Sequence, residues 1–241
     1  MSLSAGQVIA DRTAFGNRVA RNQKVFLSLC VCALLLNYLD RASISIAASN
    51  VRADLSLSAT QIGGLLSVFS MSYAIASLPA GFLIDRFGVR FLSSAAIFLW
   101  SLAQGAGGLV AYYPQLLLTR SILGVTEAPI GPSNVRVVAS WFPKDRRGLP
   151  TGIYVSGTQI APAFAPPLLT GLMLWLGWRG MFMTMGATGA AFAIAYWTTT
   201  ATSRRSIYRR TSANVLVCKA PSRVSQRAVG CGSSATGPAG D

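Results

Sequence analysis

The sequence predicts an all-α integral membrane protein, a six-transmembrane-helix bundle, and three observations carry that prediction. Of its 241 residues 52% are hydrophobic and 12% charged, with a mean hydropathy of +0.48, where an ordinary soluble domain carries roughly 25% charged residues. The apolar residues gather into six runs of about 20 residues or more, the length that crosses a hydrocarbon core at 1.5 Å per residue. The Lys and Arg residues between the runs fall mainly on alternate sides, as they do when cytoplasmic loops retain positive charge.

The runs cover residues 25–49, 60–84, 91–112, 115–140, 149–176 and 180–199. On one side lie Arg12, Arg18, Arg21 and Lys24, then Arg86 and Arg90, then Lys144, Arg146 and Arg147, and finally Arg204, Arg205, Arg209 and Arg210; the other side has Arg52 and Arg179. This bias puts both termini in the cytoplasm and the chain, multi-pass, in the cell (inner) membrane. Residues 1–24 read as a cytoplasmic N-terminal segment, with the first run too long for a signal peptide's apolar core and lacking a cleavage site. Residues 25–199 read as the transmembrane domain. Residues 200–241 are rich in Arg, Ser, Ala and Gly and hold no further apolar run. They read as a basic, disordered cytoplasmic tail whose composition is also what a shifted reading frame in GC-rich DNA encodes. Its basic residues are available to anionic lipid, though a solvated tail is the plainer reading.

Composition also excludes functions. The formal net charge is +14, but the basic residues sit in short clusters between apolar runs and not along a nucleic-acid-binding face. The chain has no His, and its seven acids are scattered, so no hydrolytic constellation and no metal site assembles, no cofactor is called for, and an enzyme is disfavoured. The cysteines, Cys30, Cys32, Cys218 and Cys231, form no CxxC pair and read as apolar filler and incidental tail thiols.

Against that background the charges inside the runs stand out, because a charge at the bilayer centre costs about 2.5–3.5 kcal/mol on insertion scales and is retained for pairing or transport. They are Asp40, Arg41, Arg120 and Glu127. Asp40 lies about 24 Å along its helix, hence roughly 6 Å from the outer boundary, and Arg120 lies about 7–8 Å inside the outer end of the fourth helix; the two can meet. Asn37, Asp40 and Arg41 share one helix face by i, i+3, i+4 spacing, as do Arg120, Gly124, Glu127, Gly131 and Asn134. Two polar stripes can therefore line one cavity or, more blandly, pin helices together. Glu127 falls deeper, near the midplane, with no cation expected at its own depth, which suits a carboxylate that carries a proton. In the fifth run Gly152, Ser156, Gly157, Ala161 and Ala165 allow close helix approach, Pro162, Pro166 and Pro167 kink the backbone, and Gln159 is the one long polar side chain, as apt to face a cavity as not.

Residues Gly81-Phe82-Leu83-Ile84-Asp85-Arg86-Phe87-Gly88-Val89-Arg90 resemble the signature between the second and third helices of the major facilitator superfamily, with Val89 where a basic residue is frequent. Arg120, Gly124, Ala128 and Pro132 match that superfamily's R-x-x-x-G-x-x-x-A-x-x-x-P pattern in the fourth helix. Leu36-Asn37-Tyr38-Leu39-Asp40-Arg41, Glu127-Ala128-Pro129 and Gly177-Trp178-Arg179 are similar to its anion:cation symporter branch, which includes sugar-acid and aromatic-acid transporters. The resemblance covers about residues 20–199.

That resemblance implies the N-terminal half of a twelve-helix fold, with a second six-helix half as partner and the site between halves. It implies proton-coupled symport of a small organic anion by alternating access, the partners being that anion and a proton. Arg41 would bind the substrate carboxylate, Tyr73 would touch substrate from the second helix, Asp40 would pair with Arg120, and Glu127 would take the coupling proton. Asn37 and Gln159 complete the substrate-facing set. Gly81, Asp85, Arg86, Gly88 and Arg90 would form a conformational clamp, with Asp85 and Arg86 acting through charge pairs and helix dipoles. A polypeptide of one half can also be a truncated, non-transporting membrane fragment.

Overall fold

The computed structural model describes the backbone of residues 5–142 and 144–219, and the side chains of residues 21–142 and 144–200. The chain divides into two units, Met1–Ala201 and Thr202–Asp241. Among the described residues all regular structure is helical: α1 (Ala5–Asp54), α2 (Ala59–Phe87), α3 (Val89–Ala106), α4 (Tyr113–Glu127), α5 (Ile130–Trp141) and α6 (Gly148–Lys219), with one 3-10 turn at Lys144–Arg146.

Local chemistry sets most of the helix ends. Ser58 caps α2: its hydroxyl accepts from the Gln61 amide and its own amide donates to the Gln61 side chain, satisfying two otherwise orphaned groups. Gly88 stands between α2 and α3 with φ 80°, a conformation that a side chain opposes. At the start of α4 the Gln115 side chain accepts from the amides of Ala111 and Tyr112, and Pro114 sits in the first turn, where its missing donor costs nothing.

Three helices among the described residues, Arg21–Asp54, Ala59–Phe87 and Gly148–Thr200, are long and apolar enough to cross a membrane. The last, at 53 residues, is about 80 Å long, more than twice the hydrocarbon thickness. It breaks at Gly177 (φ 69°, ψ 173°), so it holds both the 149–176 and the 180–199 runs. The fourth predicted run is not one helix: α4 stops at Glu127 and α5 begins at Ile130. Pro129 and Pro132 remove two amide donors there and their rings crowd the turn before them. The third run is likewise shorter than expected, α3 ending at Ala106 before Gly107 and Gly108.

A tail without structure was expected from residue 200, yet the backbone is helical through Lys219. No Gly or Pro occurs between Ala190 and Ala220, so nothing in that stretch forces an end. Residues 220–241 and the structure of most of the predicted tail beyond Lys219 lie outside the described residues, as does the Cys231 thiol.

Interhelical contacts give the packing directions. Gln23 donates to the Trp141 carbonyl, Asn134 to the Cys30 carbonyl, and Arg41 to Glu127; one number rises as the other falls, so α1 runs antiparallel to α4 and α5. Gly64 meets Tyr113, Gly124 meets Ser72, and Asp85 meets Arg136, so α2 is parallel to α4 and α5. Phe91 meets Trp197, Ser101 meets Gly189, and Gly105 meets Gly186, so α3 is antiparallel to the second segment of α6. These directions are those of helices that cross a slab alternately.

Two apolar clusters fill the bundle. One gathers Cys30, Leu34, Ile97, Trp100, Leu123 and Tyr196; the other Ile44, Leu65, Leu116, Leu169 and Phe182. Along α1 the polar residues Asn37, Asp40 and Arg41 fall between them. The outer surface is apolar as well: Met71, Ile75, Leu78 and Phe82 make an exposed stripe on α2, the arrangement of a protein whose surroundings are not water.

Candidate functional site

The layer between the two apolar clusters holds every intramembrane charge singled out in the sequence. Asn37, Asp40, Arg120 and Glu127 are all at most 3% exposed. The side chains of α1 tilt toward its N-terminus, and those of the antiparallel α4 tilt the opposite way. Arg41 and Glu127 therefore reach toward one another, and Arg41 Nε donates to Glu127 Oε2 at 3.0 Å. This corrects the expectation that Glu127 has no cation at its depth: counting rises along the axes placed the Cα atoms but omitted the length and lean of the arginine stem.

Arg41 is surrounded by rings. Its guanidinium carbon lies 4.4 Å from the Tyr73 ring centroid, 5.3 Å from Phe69 and 5.5 Å from Tyr38, all within cation–π range. Tyr38 precedes Arg41 by three residues on α1, and Phe69 precedes Tyr73 by four on α2, where their rings stack; helical spacing alone puts each pair on one face. Phe69 and Tyr38 were not picked out in the sequence, although that spacing was the available signal. Arg41 keeps 27% of its side chain exposed while Glu127 keeps none, so the arginine is the accessible member of the pair. Asn37 Nδ2 and Glu127 Oε1 are buried without a hydrogen-bond partner.

Asp40 and Arg120 do not form an ion pair in the described structure, which corrects the second pairing expected from the sequence. The Arg120 guanidinium lies 4.9 Å from the Phe182 ring centroid, drawn toward α6. The link from this turn of α1 to α3 is made by Ser43, whose hydroxyl donates to the Asp40 main-chain carbonyl at 2.6 Å and accepts from Gln104 Nε2 at 2.9 Å. Asp40 Oδ1 and Trp100 Nε1 remain without partners.

Gly124 explains the spacing of the arginine–glycine pattern on α4. A Cβ there would lie 2.6 Å from both the Phe69 carbonyl oxygen and Ser72 Oγ, so only glycine lets α4 touch α2 at the turn that carries Phe69 and Tyr73. Gln159 is exposed on α6 and makes no hydrogen bond among the described residues; it does not join the buried group.

At the other predicted locus, Asp85 pairs with Arg136 of α5, a partner that sequence reasoning missed because Arg136 lies off the Arg120–Asn134 stripe. Arg90 turns to α6, its guanidinium 4.1 Å from the Trp197 ring centroid. Arg86 rests near Phe87 at 5.9 Å, Gly81 is exposed with open space where a Cβ would stand, and Gly88 supplies the break. At the far end of the bundle Arg179 donates to the Val110 carbonyl at 2.7 Å and to Asp54 at 3.1 Å, and Trp178 Nε1 donates to the same carboxylate at 3.2 Å. This ties α1, the link before α4, and the break at Gly177. No group of three or more potential metal ligands exists among the described residues.

Comparison with known proteins agrees with this architecture. The model of the Major Facilitator Superfamily matches residues 30–227. A protein of Escherichia coli (strain K12) named a probable L-galactonate transporter is 44% identical over 180 residues, 75% of this chain and 40% of that protein. A probable galactarate/D-glucarate transporter of Bacillus subtilis (strain 168) is 37% identical over 178 residues, 71% of this chain and 39% of that protein. The crystal structure of a bacterial homologue of the human lysosomal transporter Spinster, inward-facing and occupied, superimposes with a TM-score of 0.67 at 28% identity, covering 73% of this chain and 44% of that one. The chain thus spans about 40% of the length of these curated relatives. The family and the named relatives are transporters and not enzymes, and this chain belongs to the major facilitator superfamily.

Proposed function

We propose that the chain forms the N-terminal six-helix half of a proton-coupled symporter of small organic anions, a sugar acid before an aromatic acid, working by alternating access in the cell (inner) membrane with both termini cytoplasmic. The observation that carries this reading is the Arg41–Glu127 contact at 3.0 Å with Arg41 the exposed member. Relatives named as transporters of galactonate, galactarate or glucarate, and hexuronate support the substrate class.

The chemistry follows from competition for one cation. With Glu127 ionised, its carboxylate holds Arg41 and a substrate carboxylate must displace it. A proton on Glu127 weakens that hold, and the guanidinium is then free to bind the substrate carboxylate bidentately. Anion and proton enter together, and net charge in the buried layer stays near constant. Tyr73, with Tyr38 and Phe69, would hold the guanidinium planar to the incoming anion, Asn37 would donate to substrate or to Glu127, and Asp40 with Arg120 would form a second protonation locus. Gln159, exposed on α6, would meet substrate only from the cavity side. The contacts of Asp85 with Arg136 support a clamp at the inner ends of the helices, shared by Gly81, Arg86, Gly88 and Arg90.

Uptake of radiolabelled galactonate, glucarate and benzoate into proteoliposomes under an inward proton gradient tests the reading. Gradient-driven sugar-acid uptake that disappears in Arg41→Ala and Glu127→Gln supports it. A second reading, that the chain alone does not transport, draws on the 40% of the relatives' length that it spans; uptake only after a C-terminal six-helix half is added favours that one. No uptake in either arrangement overturns the function.

A further inference from the structure

Apart from Arg90 at its end, placed above among the clamp residues, the α3–α6 seam has no part in the proposed transport chemistry, and its surface departs from a simple apolar face. A groove of about 270 Å³ opens between the helices, lined by Phe91, Ser94, Phe98, Ala193, Ile194 and Trp197. A second of about 350 Å³ continues along the same seam, sharing Phe98 and reaching Gly105, Leu109 and Met183. From Phe91 to Ala106 the pair runs about 22 Å along α3, and it continues to Leu109 beyond the helix end, most of the hydrocarbon thickness. Small residues make it: a Cβ on Gly186 would lie 2.6 Å from Gly105, so the backbones touch and leave furrows beside the contact.

The polar groups without a full set of partners sit at one end, since Ser101, which lines the second groove, donates its hydroxyl to the Ile97 carbonyl. Arg90, in the first turn of α3, lies against Trp197, its Nη2 3.4 Å from that residue's carbonyl oxygen, and forms no ion pair among the described residues. Its Nε is buried without a hydrogen-bond partner. One turn deeper, about 6 Å along the axis, Ser94 is 6% exposed, lines the groove, and its hydroxyl has no partner either. A cation above an unpaired hydroxyl above an apolar furrow matches, in order, the phosphate, ester carbonyl and acyl chain of a glycerophospholipid.

We propose that the α3–α6 seam is a binding site for an anionic diacyl phospholipid, with its phosphate on Arg90, an ester carbonyl on Ser94 and one acyl chain along the furrow toward Leu109. Anionic lipid is preferred over zwitterionic because Arg90 has no carboxylate to neutralise it. A second copy of the chain is the poorer occupant, since it would set another Arg90 and another +14 net charge against the first. The inference concerns the lipid-facing surface and shares only Arg90, one of the clamp residues, with the transport reading.

The test is native mass spectrometry of the full chain released from detergent after equilibration with equal amounts of phosphatidylglycerol and phosphatidylcholine of identical chains. Preferential retention of phosphatidylglycerol is expected, falling about fivefold in Arg90→Gln, the equivalent of roughly one surface cation, and recovering in Arg90→Lys. Ether-linked phosphatidylglycerol, which lacks the ester carbonyls, is expected to be retained less than the ester form by the wild type and equally by Ser94→Ala. Ile194→Trp, at a groove residue that is 62% exposed, fills the furrow from its open side and is expected to abolish retention while helicity and melting temperature hold. Equal retention of the two headgroups by the wild type overturns the proposal without any variant needing to fold. So does displacement of phosphatidylglycerol by glycerol 3-phosphate, which would mean that a free phosphate suffices, and so does a dimer that Ile194→Trp dissociates.

Discussion

Glu127 has no exposed side-chain surface, and its side chain accepts from Arg41, whose guanidinium is held 4.4 Å from the Tyr73 ring centroid. An acid from α4, a base from α1 and a ring from α2 thus share one contact, so a change in any of the three is felt by the other two.

Removing the acid is expected to be costly and replacing it conservatively much less so. Glu127→Ala strands Arg41 in a partly buried site and should lower stability by about 3 kcal/mol, whereas Glu127→Gln keeps an acceptor and should cost about 1 kcal/mol. Unfolding in graded denaturing detergent measures both. Equal losses in the two variants would mean that the pair is not what holds α1 to α4.

Two glycines seven residues apart, one on α4 and one on α5, should respond with opposite signs. Gly124→Ala drives a methyl to 2.6 Å from the Phe69 carbonyl and Ser72 hydroxyl oxygens, which should cost about 1–3 kcal/mol by overpacking. Gly131→Ala meets nothing within 4 Å and should gain about 0.5–1 kcal/mol from helix propensity. Melting temperatures of the two variants decide it.

The Asp85–Arg136 pair is more than half exposed on both sides, so Arg136→Ala should change stability by no more than about 1 kcal/mol. Gly88→Ala, at φ 80°, should cost about 2 kcal/mol for backbone strain. If the pair acts as a clamp, Arg136→Ala should nevertheless raise the labelling rate of a cysteine introduced near Asp85, and an unchanged rate would remove that role.

At the opposite end, Asp54→Asn should cost about 0.5 kcal/mol, since both partners of its bond to Arg179 are substantially exposed. Arg179→Ala also releases the Val110 and Gly108 carbonyls and should cost about 1.5 kcal/mol. Proteolysis between α3 and α4 provides a local readout, expected to quicken in Arg179→Ala and to stay near wild type in Asp54→Asn.

The all-helical, apolar character and the membership of Asn37, Asp40, Arg41, Arg120 and Glu127 in one polar layer were legible in the chain, because each depends on composition and on a period fixed by the helix itself, whereas the lengths of the third and fourth runs were not, since Gly107 and Pro129 end helices inside them. The close approach at Gly124 was legible as a motif and gained its meaning from the Phe69 carbonyl opposite. Arg136 and Gln104 were not legible, because their partners are distant in sequence and lie on other helices, whereas Phe69 could be read only from its place one turn before Tyr73.

By itself the sequence determined which residues cannot face lipid and how far along each helix they sit, since a charge in hydrocarbon must be paired and the rise per residue is constant. Only the tertiary structure decided who pairs with whom. Arg41 takes Glu127 while Asp40 and Arg120 form no ion pair among the described residues, because the antiparallel lean of side chains on α1 and α4 and the ring of Phe182 beside Arg120 act over distances comparable to a side chain's own length, which depth along an axis does not resolve.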